Sequence, residues 1–328
     1  MWFKDLFGFN EISPENVRKN INIEGSKITS KVNGKTYEFG TLQIPTLKEL
    51  KETSDIELYN EIITVNEIIG SVEELHCEAT NKSALFQVAS QFNLLEMASP
   101  KVTPENGVDR YEHDHTQGPA CAIACGAGTI YRNYFVNVNN QIGQSSNNQI
   151  DCLDLIGQDL CNEELRLWKM ENGYTLVNQQ GILNINSLIN NLNNKQREQL
   201  KEKLKIGIQW NTEVTISESK QLVSQVYCSA LPVAYSNVNS IYWESFSRLI
   251  LEATYEATLH AALINYKRTN SNKVFLTLVG GGAFGNRIDW ITDSILVAIR
   301  KFKKTPLDIS IVSYKSSNIK VSELIKEI

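Results

Sequence analysis

An α/β fold, with helices layered on both faces of a mixed, mainly parallel sheet, is predicted by three features of the sequence. Over the last hundred residues, apolar runs of strand length alternate with apolar residues at helical spacing. A loop of successive glycines, Gly280-Gly281-Gly282-Ala283-Phe284-Gly285-Asn286, joins one such strand to the helix after it. Hydrophobic residues make up 42% of the 328 positions, enough core material for one large domain or two modest ones.

Taken in order, the first 72 residues read as an N-terminal extension, a hairpin plus a helix. Asn33-Gly34 between Lys27–Val32 and Lys35–Phe39 offers the two positive φ angles of a type I′ turn. Pro45 closes that unit, and the acidic stretch Leu47–Gly70 is expected to be mostly helical. Ser83–Ser90 is an apolar run of strand length, ending at Gln91-Phe92-Asn93. After an irregular segment comes a helix-like stretch, Pro119–Tyr134, and later a helix around Asn186–Leu204. Leu222–Ala230 is rich in β-formers, and Trp243–Tyr266 carries apolar residues at helical spacing. Lys273–Val279 and Leu307–Val312 read as buried strands, Ile288–Phe302 and Val321–Ile328 as helices.

Composition excludes several classes. A net charge of −5 with no run of five or six Lys/Arg argues against nucleic acid as partner. No apolar stretch approaches the roughly 20 residues that span a bilayer, so no membrane partner is expected. Met1–Glu11 lacks the pattern of a secretory signal, which points to a cytoplasmic protein. The six cysteines form no CxxC pair and read as reduced, mostly buried thiols. His113 and His115 have no second His/Cys cluster nearby in sequence, so neither a metal nor a cofactor is expected.

Two segments carry chemistry. In the glycine loop, the backbone can approach a ligand closely, and unpaired N–H groups before a helix favour an anion. Residues 280, 282 and 285 match G-x-G-x-x-G, but a dinucleotide fingerprint opens a long βαβ domain, whereas this loop lies near the end of the chain. A nicotinamide-dinucleotide enzyme is therefore disfavoured, and a phosphate-cradling loop is expected. The second segment is Thr116-Gln117-Gly118-Pro119-Ala120-Cys121-Ala122, a helix entry built from small residues that admits a close-lying anion. Just before it lie four acids, Glu105, Asp109, Glu112 and Asp114, of which Asp114 abuts the anion site. A carboxylate there can orient water at an anomeric carbon. Asn93, at the end of its apolar run, is a candidate for bonding sugar hydroxyls.

Together these residues resemble the macrodomain superfamily, and Gly282-Ala283-Phe284-Gly285 is closest to its glycohydrolase-like branch. More narrowly, Thr116–Ala122 with Gly281–Asn286 looks like the MavL-like group of arginine ADP-ribosylhydrolases. The resemblance implies a macrodomain-like three-layer domain over residues 73–328, with an insertion around 140–215. It implies hydrolysis of the N-glycosidic bond between ADP-ribose and arginine of a protein, with ubiquitin as target class. A non-catalytic ADP-ribose reader is the alternative. Asp114 is then a catalytic carboxylate. The second acid falls at Asn106, with Glu105 or Asp109 as substitutes. Asn93, Gln117, Gly118, Pro119, Ala120, Gly280, Gly281, Gly282, Ala283, Phe284, Gly285 and Asn286 would hold the ADP-ribose.

Overall fold

The computed structural model describes residues 1–56 and 59–328. Its central sheet has seven strands, in chain order β1 (Thr41–Gln43), β2 (Thr64–Ile69), β3 (Leu85–Ala89), β4 (Gly207–Glu213), β5 (Leu222–Cys228), β6 (Lys273–Leu276) and β7 (Asp308–Ser313). Across the sheet they run β1-β4-β5-β3-β6-β7-β2. Five neighbours from β5 to β2 are parallel, and β4 is antiparallel to both strands beside it. The α/β layering and the mixed, mainly parallel sheet expected from the sequence are present.

Both faces of the sheet are covered because successive side chains of β3 point to opposite sides. Phe86 stacks on Phe275 of β6 at 4.5 Å and on His76 at 3.8 Å. His76 belongs to α2 (Val72–Cys77), which shares that face with α3 (Gln117–Ala124) and α4 (Gly126–Tyr134). On the other face Gln87 donates to Thr258 of α5 (Glu244–Thr269) at 2.8 Å. That helix is buried around most of its circumference, so it is a core element rather than an amphipathic cover. Helices α1 (Leu47–Ser54) and α6 (Ile288–Lys301) flank it. A second apolar cluster joins Trp2, Phe3, Phe7, Val17 and Ile28 to Tyr111, Ile130 and Tyr134. No helix among the described residues is long and apolar enough to cross a membrane.

Several expectations are corrected. The mostly helical reading of Leu47–Gly70 holds for α1, while Thr64–Ile69 is a strand paired along its whole length with β7; residues 57–58 lie outside the described residues. Its β-branched Thr64, Val65, Ile68 and Ile69 favour a pleated edge over a helix. The hairpin forms, with Lys27 opposite Glu38, but its turn is wider than type I′ and only Gly34, at φ 71°, is left-handed. The helix-like stretch Pro119–Tyr134 breaks at Cys125 into α3 and α4. The helix around Asn186–Leu204 is two helices, Gln179–Asn190 and Asn194–Lys201, the second capped by Asn193. Residues 1–72, expected as an extension, supply both edge strands, β1 and β2. Strand β4, inside the expected insertion 140–215, also belongs to the sheet.

The α5 layer is tied by charge as well as by apolar contact. The Glu256 carboxylate lies 2.7 Å from Lys301, 3.0 Å from Lys51 and 3.4 Å from the fully buried Lys201. Burial alone would raise its pKa, but the three lysines hold it down to about 2. A carboxylate depressed on folding stabilises the protein above its unfolded pKa, and that contribution is lost as pH falls towards 2. Glu256→Gln is expected to cost about 1.5–3 kcal/mol at pH 7, because it removes the carboxylate shared by the buried Lys201 and the partly exposed Lys51 and Lys301. Thermal denaturation checks this: the gap between variant and wild type narrows as the pH is lowered from about 4 towards 2. A pH-independent gap would contradict it.

Candidate active site

The parallel strands β3, β5, β6 and β7 end on one side of the molecule, where α/β sheets place their ligands. Two adjoining pockets open there, of about 740 Å³ and about 1400 Å³ counted out to open solvent. They meet along a ridge made by Asp114, Thr116 and Gln117 on one side and Thr277, Leu278 and Gly282 on the other. Among the described residues that line either pocket, none is Lys or Arg.

The glycine loop forms one wall. Gly280 sits at φ 79°, and a Cβ there would come within 2.3 Å of the Ala230 Cβ. Asn286 braces the loop from behind: its Nδ2 donates to Leu231 O at 2.8 Å, and its own amide donates to Gly280 O at 2.9 Å. The Gly281 amide bonds Leu278 O and the Gly285 amide bonds Gly282 O, both at 3.0 Å. Gly281, Gly285 and Asn286 thus shape the loop from outside the two pockets, whereas Gly280, Gly282, Ala283 and Phe284 line the smaller one. Among the described residues, the consecutive amides of Gly282, Ala283 and Phe284 have no acceptor. Such a run is an anion-binding concavity.

Gly282 and Gly280 separate binding from folding. A Cβ on Gly282 meets no atom within 4 Å, so Gly282→Ala is expected to change stability by no more than about 0.5 kcal/mol. Its methyl would enter the pocket, and with ADP-ribose as the ligand that the sequence resemblance implies, affinity is expected to fall about tenfold or more, for a loss of roughly 1.4 kcal/mol or above. Gly280→Ala meets both a contact and a left-handed φ, and is expected to destabilise the fold by about 1–3 kcal/mol. Calorimetric titration and thermal melts of both variants check the separation.

The opposite wall is the entry to α3. Gln117 accepts from the Ala89 amide at 2.9 Å and donates to Gln87 O at 3.2 Å, which latches the helix onto the end of β3. Gly118 is enclosed between that strand end and the side chain of Glu96, and Pro119 lines the smaller pocket. Ala120 faces the larger pocket. Asp114 lines both, and its Oδ1 accepts from the Thr116 amide at 3.0 Å. The Gln117 and Gly118 amides have no acceptor among the described residues, so at the ridge itself each wall brings one residue with an unpartnered amide, Gln117 on one side and Gly282 on the other.

The candidate second acids and Asn93 are placed elsewhere. Asn106 is exposed and accepts from the Thr103 amide at 2.9 Å, capping its own turn. Glu105 accepts from the Ser146 amide at 2.8 Å. Asp109 is buried beneath the N-terminal segment, where its amide donates to Glu11 at 2.7 Å; burial raises the pKa of its carboxyl. The physical reason is the N-terminal cluster: Gly107 at φ 84° fits directly against the Glu11 carboxylate, and this turns residues 105–109 away from the pockets. Asn93 is fully buried, its Oδ1 accepting from Leu95 and its Nδ2 donating to Gln149 at 2.8 Å. No atom of it lines either pocket.

Three functional candidates escaped the sequence reading. Tyr174 and Tyr235 form an aromatic trio with Phe284, ring centroids 5.0–5.6 Å apart, at the far end of the smaller pocket. Tyr174 lies on the short hairpin of residues 169–176, far from the glycine loop in sequence, so nothing local in its sequence marks it. The third is Glu96, only 5% exposed and lining the smaller pocket. Its signal was available: a lone acid inside the apolar run Phe92-Asn93-Leu94-Leu95-Glu96-Met97.

No family model matches the chain, and no curated protein matches it. Among solved structures, the poly(ADP-ribose) glycohydrolase of Thermomonospora curvata bound to the inhibitor ADP-HPD is similar at TM-score 0.45 and 10% identity, over 95% of both chains. The poly(ADP-ribose) glycohydrolase of Deinococcus radiodurans in complex with ADP-ribose is similar at TM-score 0.43 and 8% identity, over 87% of this chain and 93% of that one.

Proposed function

We propose that the protein is an ADP-ribosyl hydrolase that removes mono-ADP-ribose from arginine of a protein substrate, with ubiquitin as target class, by cleaving the N-glycosidic bond. The observation that carries this reading is the ridge between the pockets, where amides of two loops converge beside the Asp114 carboxylate. A diphosphate suits the ridge, since backbone N–H groups satisfy its oxygens without Lys or Arg. Pockets on either side accept the two ends of a dinucleotide-like ligand. The adenosine takes the larger one, and the ribose that carries the scissile bond takes the smaller one, against Phe284. Asp114 orients and deprotonates the attacking water. The Tyr174 and Tyr235 rings support arginine as leaving group, because a planar guanidinium stacks on aromatic faces. Hydrolysis of this kind needs no cofactor, and the six free cysteines suit a reducing, cytoplasmic setting.

A second reading, a reader that binds ADP-ribose without turnover, is favoured by one observation: Glu105, Asn106 and Asp109 all lie outside the pockets. One experiment separates the two. Arginine-ADP-ribosylated ubiquitin is incubated with the protein, and released ADP-ribose is measured beside calorimetric titration with free ADP-ribose. Release supports the hydrolase, binding without release leaves the reader, and absence of both removes the ligand assignment.

A further inference from the structure

We propose that Glu96 is the general acid of the reaction, donating its proton to the nitrogen that leaves the anomeric carbon. This role rests on the hydrolase reading and adds the residue that completes it. Glu96 follows the end of β3 on a loop whose amides from Leu94 to Met97 are all committed. Leu94 donates to Gln91 O at 2.9 Å, Leu95 to Asn93 Oδ1 at 3.1 Å, Glu96 to the Tyr111 hydroxyl at 2.9 Å and Met97 to Gln91 Oε1 at 2.6 Å. Leu94 is left-handed at φ 65°, a conformation that costs a non-glycine residue, and its carbonyl accepts from the buried Arg132 Nε at 3.1 Å. Strain at Leu94 and a buried guanidinium are thus both used to hold one carboxyl in place.

That carboxyl has no hydrogen-bond partner among the described residues. Glu96 Oε1 is buried without a hydrogen bond, and Oε2 lies against the first turn of α3, 2.3 Å from where a Gly118 Cβ would be. A buried carboxyl left unsatisfied is costly unless something else completes it. Glu96 lines the smaller pocket, and so does Asp114. The charged and titratable groups facing Glu96 are Arg132 from α4, Asp114, Tyr111, Tyr174, Cys121 and Tyr227. Burial raises its pKa well above the ordinary carboxylate value and the Asp114 charge raises it further, whereas Arg132 opposes both. Burial thus favours the neutral, proton-bearing form of Glu96, the form a general acid needs, and the pocket it shares with Asp114 brings both carboxyls to one ligand.

The step balances. The bond between anomeric carbon and guanidine nitrogen breaks, and its electron pair goes to that nitrogen, which takes the proton of Glu96 and leaves as guanidinium. A water oxygen bonds the anomeric carbon and gives one proton to Asp114. ADP-ribose and the free arginine side chain depart, and the proton on Asp114 returns to Glu96 through solvent.

The test compares two leaving groups. Wild type, Glu96→Gln and Asp114→Asn are assayed on arginine-ADP-ribosylated ubiquitin and on ADP-ribose carrying nitrophenol at the anomeric carbon, a group that departs without a proton. Glu96→Gln is expected to slow the arginine substrate by about 10²–10⁴-fold. It is expected to spare the nitrophenyl substrate to within about tenfold and to bind ADP-ribose with unchanged affinity. Asp114→Asn is expected to slow both substrates. Equal slowing of both by Glu96→Gln, or slowing of neither, overturns the general-acid role while leaving the hydrolase reading intact. Wild type that cleaves neither substrate overturns the hydrolase reading, and this role with it.

Discussion

Asp114→Asn is expected to lower single-turnover release of ADP-ribose by about 10²–10⁴-fold, the range for loss of one positioned proton acceptor. The substitution is conservative in the respect that matters for folding. Asn keeps the side-chain oxygen that accepts from the Thr116 amide, so the turn into α3 persists. It loses only the negative charge and the capacity to take a proton. Because the proposed diphosphate site is built from backbone amides, the affinity for ADP-ribose is expected to change by no more than a few-fold. Rapid-quench measurement of product and calorimetric titration of ADP-ribose give the two readouts separately. A variant that loses affinity as much as rate would make Asp114 a binding group rather than the base.

Gly118→Ala is expected to be the most damaging single methyl group in the cleft. Its Cβ would stand 2.3 Å from the Ala89 carbonyl oxygen and 2.3 Å from Glu96 Oε2, far inside contact distance. The carbonyl belongs to β3 and cannot swing away. The helix start must therefore retreat from the strand, which weakens the Gln117 latch as well. Overpacking of this kind costs about 1–3 kcal/mol, and two contacts on opposite sides place it at the upper end. Both the melting temperature and the turnover of the residual folded protein are expected to fall. Gly282→Ala, with open space around its methyl, is the matched control.

Much of the sheet was legible in the sequence because its strands are buried apolar runs of the right length. Leu85–Ala89, Lys273–Leu276 and Asp308–Ser313 were all foreseen, as were the helices between and after the last two. The edge strand Thr64–Ile69 was not, since its acidic context suggested a helix. Its Glu67 is instead consumed by accepting from Ser313 Oγ at 2.6 Å and the Asn318 amide at 2.7 Å, a pairing that joins positions far apart in sequence. The same divide runs through the site. The glycine loop and the Gln117–Pro119 entry are local signals, readable from glycine placement and helix-start chemistry. Glu96 and the aromatic trio depend on which loops meet, and Asp109 was misjudged because only the folded N-terminus shows what covers it. Asn93 carried a local signal that the fold spends internally, on Leu95 and Gln149.

The topology of the sheet also has a consequence for synthesis. Strand β2 finds its partner, β7, only across a separation of 244 residues, from Thr64 to Asp308. At roughly 5–20 residues per second, translation leaves this segment waiting for about 12–50 s before the complementary strand exists. Strand β1 waits in the same way for β4. A nascent chain of this protein therefore carries both strands unpaired until β4 is made, and β2 unpaired until β7 follows. The polar Asn66 and Glu67 inside β2 limit its pairing with other chains during that wait. Glu67, part of the acidic context that suggests a helix, is thus also one of the polar residues that guard the strand until the last tenth of the polypeptide is made.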